Sequence, residues 1–519
     1  LPKKKLNHFK FSVGLNYPSC KEDWTGGHSN TVTPVIQIFR LDAVSRHTLH
    51  AYIAARSASP LKLFHLTGLH FGWSASKKMA PQHAPKHCQK KTIHFSISCV
   101  SLMCLHVLLL VLFSAVNAES NYTVVTQLPG FDGDLPFYLE TGYVGVGESN
   151  ESQMFYYFVE SQRSSSVDPL MLWLTGGPGC SVLSAFFYES GPVTFDYKNY
   201  NGSLPSLQLN EYAWTQSINI LYVDAPVGTG FSYSTTAENY YTNDTKSASE
   251  TYEFLRKWLI DHPQYLTNQL FIGGDSYSGI PLPIVVQNII DGNKAGLHPT
   301  MNLKGYILGN PKTDDFIDEN SLVPFAHRLT LISNQLYQAA KEDCGGDVNI
   351  NASNTACVQD IDYYDEMVLE INMMQVLEAN CQVAAPKKRG EFPGRRSLKD
   401  EPVDFPISLL SPAYWCREYN YVLSAVWANY NIVREALHVR ENTIGVWKRC
   451  NSSIAYTKTV TSSVAYHRNL STQSLRAIVY SGDHDFSVPY IGTYNWIQSL
   501  DLTTYESWRP WFVDGQVAG

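Results

Sequence analysis

Short apolar runs recur along the chain beyond residue 150 and alternate with stretches of amphipathic spacing. The runs are about four to eight residues long and are bounded by Gly, Pro, Asn or Asp, which is typical of buried strands. Apolar residues spaced three and four apart predict helices at residues 247–260 and 278–290. The alternation predicts an α/β fold with a mostly parallel central sheet and helices on both faces. The predicted strands are residues 154–160, 170–174, 218–223, 269–272, 303–308 and 475–480.

The pattern changes between residues 326 and 440. Helical segments, long connections and four cysteines replace the alternation there. We therefore predict a helical, disulfide-bonded insertion, or cap, over the C-terminal edge of the sheet. The two parts of the core would then be residues 119–325 and 441–519. Within the insertion, residues 386–400 are basic and contain Pro and Gly, which predicts an exposed loop that proteases can excise.

The first 118 residues differ from the rest in charge. They carry 14 Lys+Arg against 3 Asp+Glu, whereas the whole chain has a net charge of −8. Residues 79–118 combine a cationic start, an apolar run and a small-residue end, which is the pattern of a secretory signal peptide. The strongly apolar part is about a dozen residues, shorter than the roughly 20 that span a bilayer. We predict cleavage after Ala118, no membrane association afterwards, and residues 1–78 as an upstream leader and not a domain.

The predicted mature chain is acidic, which argues against nucleic acid as a partner. Its six cysteines predict three disulfides in an oxidising compartment, with 15 pairings possible. No C-x-x-C or nearby His pair accompanies them, so we predict neither a metal nor another cofactor. A secretory route also makes the N-x-S/T sequons candidate glycosylation sites. These sequons are at Asn121, Asn150, Asn201, Asn243, Asn351, Asn451 and Asn469.

A candidate nucleophile lies between the predicted strand at 269–272 and the predicted helix after it. The sequence G-D-S-Y-S-G places Ser276 between small residues, as in the sharp strand-to-helix turn of a nucleophile elbow. Ser278 stands where the usual G-x-S-x-G motif has its last glycine. The following helix would direct its N-terminal amides at the reacting centre. An ordinary Gly/Ser turn is the alternative for this motif taken alone.

Serine catalysis also needs donors for the oxyanion and an acid that orients a base. The strand 170–174 runs into glycines, where backbone N–H groups can approach a substrate. The amides of Gly177 and Tyr277 are the candidate oxyanion donors. The last predicted strand ends in S-G-D-H-D, so Asp483 and Asp485 both qualify as the acid. Their spacing does not distinguish them.

Four motifs together resemble the serine carboxypeptidase-like family of plants. They are W-L-T-G-G-P-G-C-S, V-D-A-P-V-G-T-G-F-S-Y-S, G-D-S-Y-S-G and S-G-D-H-D, in that order. The resemblance implies an α/β-hydrolase fold with a helical insertion, and a vacuolar or extracellular location. It implies Ser276 as nucleophile and Asp485 as triad acid. It also implies a possible two-chain form after excision of the basic linker, and the disulfides Cys180–Cys450, Cys344–Cys357 and Cys381–Cys416.

Two positions bear on the substrate. Family members that remove C-terminal amino acids have Asn and Glu where this chain has Thr175 and Asp275, and these residues bind the terminal carboxylate of the peptide. Thr and Asp resemble the acyltransferase branch, in which an acyl group passes from a glucose ester to an alcohol. Trp173 and Gly176 complete the predicted substrate-binding set. A serine carboxypeptidase acting on peptide C-termini is the alternative enzyme, and an inactive relative that binds an acyl glycoside or a protein is a further one.

The triad base is missing from the sequence. In this fold the order is Ser, Asp, His, yet no histidine follows Asp485. Residues 511–519 contain an apolar run, an Asp-Gly turn and a second run cut short, which predicts a hairpin whose return strand continues. We therefore predict that the sequence is a fragment, that the triad His lies beyond Gly519, and that the chain as written is nearly inactive. We interpret the earlier histidines as surface or packing residues: His262, His298, His327, His438 and His467.

Overall fold

The computed structural model describes residues 35–41, 122–348, 354–380, 417–513 and 515–517. Its strands, in chain order, are β1 (Val35–Leu41), β2 (Tyr122–Val124), β3 (Leu139–Val146), β4 (Ser152–Val159), β5 (Leu170–Leu174), β6 (Val193–Phe195), β7 (Leu207–Leu209), β8 (Asn219–Val223), β9 (Tyr233–Ser234), β10 (Tyr241–Asn243), β11 (Leu270–Asp275), β12 (Leu303–Gly309), β13 (Ala455–Thr457), β14 (Arg476–Gly482), β15 (Phe512–Val513) and β16 (Gln516–Val517).

The helices follow the same numbering. They are α1 (Leu183–Tyr188), α2 (Asp244–Asp261), α3 (Pro281–Lys294), α4 (Asp315–Glu319), α5 (Leu322–Arg328), α6 (Asn334–Asp343), α7 (Thr355–Val368), α8 (Arg417–Ala428), α9 (Asn431–Ala436), α10 (Val464–Leu470) and α11 (Tyr490–Gln498).

A sheet of ten strands forms the centre of the fold, in the order β1-β14-β12-β11-β5-β8-β4-β3-β2, with β9 also paired to β4. The strands β8, β5, β11, β12 and β14 run parallel to one another. The strands β2, β3 and β4 add an antiparallel edge. This confirms the predicted α/β-hydrolase fold with a mostly parallel sheet. At the opposite edge β1, which lies within the predicted leader, pairs parallel with β14.

Alternating side chains of the buried strands enter two separate cores. In β5, Met171 and Trp173 face one core and Leu170, Leu172 and Leu174 face the other. Helices α1 and α8 cover the first face, and α2 and α3 cover the second. Because both faces are buried, every residue of β5 is apolar, which is typical of parallel strands. Burial of each large side chain contributes about 1.5–3 kcal/mol.

Helices α5 to α7 follow β12 and α4, and form a third apolar cluster with the residues after β14. Phe325 and Phe486 are fully buried at its centre, 5.3 Å apart between ring centroids. The described part of the predicted insertion is therefore helical, and its boundaries at 326 and 440 remain a prediction. The predicted loop 386–400 lies outside the described residues.

Two of the three implied disulfides are present. Cys180 and Cys450 are joined with a Cα separation of 3.8 Å, and Cys344 and Cys357 with one of 4.8 Å. The second bridge links the end of α6 to the start of α7. Cys381 and Cys416 lie outside the described residues, so their pairing remains a prediction.

The sequons differ in their surroundings. Asn150, Asn201 and Asn469 are exposed, and Asn121 and Asn351 lie outside the described residues. The half-buried Asn243 caps α2 by accepting a hydrogen bond from Lys246 N at 2.9 Å. The side chain of Asn451, also half-buried, donates to the carbonyl of Gly228 at 2.9 Å. Glycosylation of these sites remains a prediction.

Near the C-terminus, β15 and β16 form a short antiparallel pair, in which Phe512 pairs with Val517 and Val513 with Gln516. Gly515 has a φ of +76°, a conformation that glycine adopts without strain. Among the described helices, none combines the length and the apolar character needed to cross a bilayer.

Candidate active site

The nucleophile turn is residues 275–279, between β11 and α3. Ser276 has a φ of +56° and begins a short 3-10 turn that ends at Gly279. A non-glycine residue in this region costs about 1–3 kcal/mol, so the surrounding structure must hold it there. The residue before the turn, Gly274, must be a glycine, because a Cβ at this position would lie 2.4 Å from Ser278 Oγ and 2.7 Å from the carbonyl oxygen of Leu174. This is the geometry that the sequence motif predicts for a nucleophile elbow.

Hydrogen bonds hold the nucleophile turn from several sides. Lys312 N donates to the carbonyl of Ser276 at 2.9 Å. Ser463 Oγ donates to the carbonyl of Gly279 at 2.8 Å. Ser278 Oγ donates to the carbonyl of Asp275 at 2.7 Å. Ser278, which replaces the usual last glycine of the motif, therefore stabilises the turn with a hydrogen bond inside it.

The segment after β5, residues 175–180, is called the glycine loop, and it packs directly against the nucleophile. A Cβ on Gly176 would lie 2.6 Å from Ser276 Cβ, 2.6 Å from Tyr277 N and 2.8 Å from Ser276 Oγ. Gly177 has a φ of +121°. The loop and the amide of Tyr277 thus border the same small space beside the serine hydroxyl, where an oxyanion would have to be bound.

A buried aspartate and the first disulfide fix the far end of the glycine loop. Asp224, at the end of β8, accepts hydrogen bonds from Ser181 Oγ at 2.7 Å and Val182 N at 2.9 Å. Burial raises the pKa of Asp224 to about 6, and these donors oppose the shift. Asn451 N also donates to the carbonyl of Gly179 at 2.8 Å, next to the Cys180–Cys450 bridge.

Ser276 opens into a cavity of about 440 Å³ at the C-terminal ends of the parallel strands. This volume suits a small organic ligand. All four predicted substrate-binding residues line it, together with Gly177 and Asp485. The predicted site residues that line this cavity are Trp173, Thr175, Gly176, Gly177, Asp275, Ser276 and Asp485.

The cavity distinguishes the two candidate acids by position. Asp485 lines it, whereas Asp483 is buried outside the lining and lies 3.9 Å from His484. The carboxylate of Asp485 accepts hydrogen bonds from Ser487 N at 2.7 Å and Val488 N at 3.2 Å. Burial raises the pKa of Asp485 to about 7, although these amides and the charge of Arg417 act against the increase.

The polar end of the cavity contains buried atoms without hydrogen-bond partners among the described residues. Thr175 Oγ1 is such an atom; Trp173 Nε1 and Asp275 Oδ1 have no partner in ideal geometry, although the Trp173 side chain lies close enough to Asp275 to oppose the rise of its pKa. Burial raises the pKa of Asp275 well above its ordinary value, and the neighbouring charge of Glu189 raises it further. A buried polar atom left unpaired costs about 1–3 kcal/mol. This end of the cavity is therefore suited to bind a polar group of a ligand.

The predicted site omits most of the cavity wall. Aromatic rings and two arginines line it, and the signal for them in the sequence is weak because they come from distant segments. Of these residues, only Arg449 could be located from neighbouring sequence, because it precedes Cys450 of an expected disulfide. The wall residues absent from the prediction include Tyr188, Glu189, Trp214, Arg417, Tyr421, Arg449 and Tyr480.

Among the residues that line the cavity in the described structure, none is a histidine. His262 is buried against Glu140, with 2.9 Å between Nε2 and the carboxylate. His467 is buried too, bonded through Nδ1 to the Tyr306 hydroxyl at 2.9 Å, and burial lowers its pKa to about 3. Both are packing residues in the described structure.

The sequence profile described as serine carboxypeptidase matches residues 129–519. This chain belongs to the serine carboxypeptidase family. Serine carboxypeptidase-like 1 of Arabidopsis thaliana is 42% identical over 419 residues, which covers 80% of this chain and 89% of the relative. Serine carboxypeptidase-like 16 of the same plant is 44% identical over 411 residues, covering 79% and 88%.

A solved structure shares the fold. Kex1Δp, a prohormone-processing carboxypeptidase from Saccharomyces cerevisiae, superposes with a TM-score of 0.55 at 20% identity, covering 70% of this chain and 77% of that one. The serine carboxypeptidase family comprises serine hydrolases, which agrees with a serine at the end of β11 facing a cavity.

Proposed function

We propose that this member of the serine carboxypeptidase family forms an acyl-enzyme on Ser276 and passes the acyl group from a glucose ester to an alcohol in plant secondary metabolism. The observation that carries the proposal is the convergence of Ser276, the glycine loop and Asp485 on one cavity. A secretory route to the vacuole or cell exterior, with N-linked glycans and a possible two-chain form, accompanies it.

In the proposed reaction, Ser276 Oγ attacks the ester carbonyl, and a triad histidine accepts its proton. Asp485 would orient that histidine. The amides of Gly177 and Tyr277 would stabilise the negative oxygen. Glucose leaves with the proton from the histidine. The alcohol then transfers its proton to the same base, its oxygen bonds to the acyl carbon, and the bond to Ser276 Oγ breaks as the base returns a proton to that oxygen.

The cavity wall is compatible with an aromatic acyl group. Trp214 packs edge-on against Trp173, with 5.4 Å between ring centroids. The guanidinium of Arg449 lies over the ring of Tyr421, 3.9 Å from its centroid. Flat apolar surfaces of this kind favour ring stacking. The buried Thr175 and Asp275 offer hydrogen bonds of modest reach to hydroxyl groups of the donor or acceptor.

Carboxypeptidase activity is the second candidate, and one observation favours it. Burial and the charge of Glu189 raise the pKa of Asp275, which favours its protonated form, and a protonated carboxyl group could donate to the terminal carboxylate of a peptide. Against this, Thr175 lacks the carboxamide of peptidase members, and Asp275 is a methylene shorter than their Glu.

The two activities can be separated with the full-length protein and a Thr175→Asn/Asp275→Glu double variant. We expect the natural protein to transfer an aromatic acyl group from its glucose ester to an alcohol, and the double variant to lose transfer by about tenfold or more while gaining release of amino acids from a blocked dipeptide. Chromatography of the products measures both. Ser276→Ala is the control and should lose either activity by about a thousandfold or more. Release of a free amino acid by the natural protein without transfer to any alcohol would contradict the preferred function.

A further inference from the structure

The carboxylate of Asp244 connects the nucleophile turn to another part of the fold. Asp244 is the first residue of α2 and is fully buried. Its Oδ1 accepts hydrogen bonds from the hydroxyls of Tyr277 and Tyr456, each at 2.8 Å. Its Oδ2 accepts from Thr459 N at 2.6 Å and Val460 N at 2.8 Å. The start of a helix and two backbone N–H groups both favour a carboxylate at this position.

The Tyr277 side chain is held on several sides. Its ring is 5% exposed, packs edge-on against Tyr456 at 6.0 Å and has the Lys458 ammonium 5.3 Å from its centroid. Burial, and next the hydrogen bond to Asp244, raise the pKa of the Tyr277 hydroxyl, so it remains a neutral donor. Rotation of this residue therefore requires the loss of a buried hydrogen bond to a charged acceptor, worth about 1.5–3 kcal/mol.

The backbone of Tyr277 directly follows Ser276, whose φ is positive, so the direction of the Tyr277 amide depends on how the turn is held. The other ties of the nucleophile turn bind backbone carbonyls, those of Asp275, Ser276, Tyr277 and Gly279. The Asp244 bond is made by the side chain of residue 277 itself, whose amide nitrogen borders the space beside Ser276 Oγ. An amide at that point must aim within roughly 10–20° of the oxyanion to stabilise it.

We propose that Asp244 is a positioning residue for acylation of Ser276. Through the Tyr277 hydroxyl it holds the Tyr277 amide in the direction of the oxyanion. The same carboxylate fixes residues 456–460, which follow Cys450, so this stretch is tied both to Tyr277 and, through the disulfide, to the glycine loop. The inference rests on the proposed acyl-enzyme, because it assigns the Tyr277 amide to the oxyanion.

Tyr277→Phe and Tyr456→Phe are matched variants. Each removes one phenol hydrogen bond of 2.8 Å to the same oxygen of Asp244 and keeps the ring. Labelling of the full-length protein with an alkyl fluorophosphonate measures acylation chemistry without any choice of substrate: Ser276 Oγ bonds to phosphorus, fluoride leaves and the base takes the serine proton. We expect Tyr277→Phe to reduce the second-order labelling constant about tenfold, a fraction of the effect of losing an oxyanion donor. Tyr456→Phe should change it less than about twofold.

Asp244→Asn supplies a second test, because its amide group cannot accept from both Thr459 N and Val460 N together with the two phenols. We expect kcat to fall about tenfold or more with KM changed less than about twofold, the signature of an interaction made in the transition state. Equal labelling constants and equal melting temperatures for the two Tyr variants would overturn the positioning role and leave the proposed function intact. Absence of labelling in the natural protein would overturn both.

Discussion

At the residue scale, the absence of a side chain at Gly176 allows the glycine loop to approach the serine closely. A Cβ at 176 would lie 2.6 Å from both Ser276 Cβ and Tyr277 N, and neither of these atoms belongs to a flexible side-chain end. The requirement is for space and not for a special φ. Gly176 is thus needed for the contact between the loop and the nucleophile turn.

Gly176→Ala tests this contact. We expect activity, or fluorophosphonate labelling, to fall by about a hundredfold, since the added methyl group must push the loop or Tyr277 away from the oxyanion position. Gly445→Ala is the matched control, because a Cβ there meets nothing within 4 Å. Labelling rates and circular dichroism of both variants measure the effect. A Gly176→Ala protein that labels as fast as the control would contradict the assigned contact.

The positions of several predicted site residues follow from the local sequence, while their roles remain predictions. Ser276, Gly177 and Asp275 belong to turns whose chemistry is local, so the sequence motif alone places them. The competition between Asp483 and Asp485 was not local, because both follow β14 and only the backbone path after Gly482 decides which carboxylate lines the cavity. Tyr188 and Tyr421 were missed because they lie more than two hundred residues apart and meet only in the folded chain.

At the element scale, the start of α2 combines a structural cap with a sequon. Asn243 Oδ1 accepts from Lys246 N, and the next residue is the buried Asp244. Loss of an N-cap costs about 0.5–2 kcal/mol. A glycan on Asn243 would have to be attached to the same side chain that caps the helix.

Two substitutions separate these roles. We expect Asn243→Ala to lower the free energy of unfolding by about 1 kcal/mol, whereas Asn243→Asp should retain the cap and differ little. Both remove the glycosylation acceptor. Denaturant melts of protein made without glycosylation check the cap. Equal destabilisation by the two substitutions would show that the cap contributes nothing measurable.

The strands differed in how far their sequences predicted them. β5 matches its predicted bounds, because all its residues are apolar and buried. β11 continues three residues past the predicted end, through Gly273, Gly274 and Asp275, since pairing with β12 and, for the two glycines, with β5 overrides their low strand propensity. β3 was not predicted at all. Gly142 and Gly145 interrupt its pattern, and its pairing with β4 along the whole length supplies what its own residues lack.

At the scale of the whole molecule, several carboxyl groups of the described residues, Asp275 among them, share a direction of titration. Burial raises the pKa of Asp224 and Asp318 to about 6 and that of Glu250 and Asp485 to about 7. The folded state therefore holds protons that the unfolded state has released above its ordinary pKa of about 4. Their contribution to stability is greatest at low pH and is lost as the pH rises through 6 to 7. His467 acts in the opposite sense, because its lowered pKa adds stability as the pH rises towards about 6.5.

Because the carboxyl groups with raised pKa outnumber His467 among the described residues, we expect the melting temperature to be several degrees higher at about pH 5 than at about pH 7.5. Differential scanning calorimetry across this range measures it. Glu250→Gln should flatten the dependence, because it removes a group whose pKa is raised mainly by burial. A melting temperature that rises steadily from pH 5 to pH 7.5 would contradict the direction assigned to these carboxyl groups.

The order of the sheet has a consequence for how such enzymes diversify. Ser276 and the glycine loop leave β11 and β5, which are adjacent central strands, while the ring-lined wall comes from α1, α8 and the segments beside them. The distance between attacking atom and amide donors is therefore set by the spacing of two paired backbones. Substitutions in these helices can therefore change the shape of the cavity for a different ligand without moving Ser276 relative to the amide donors.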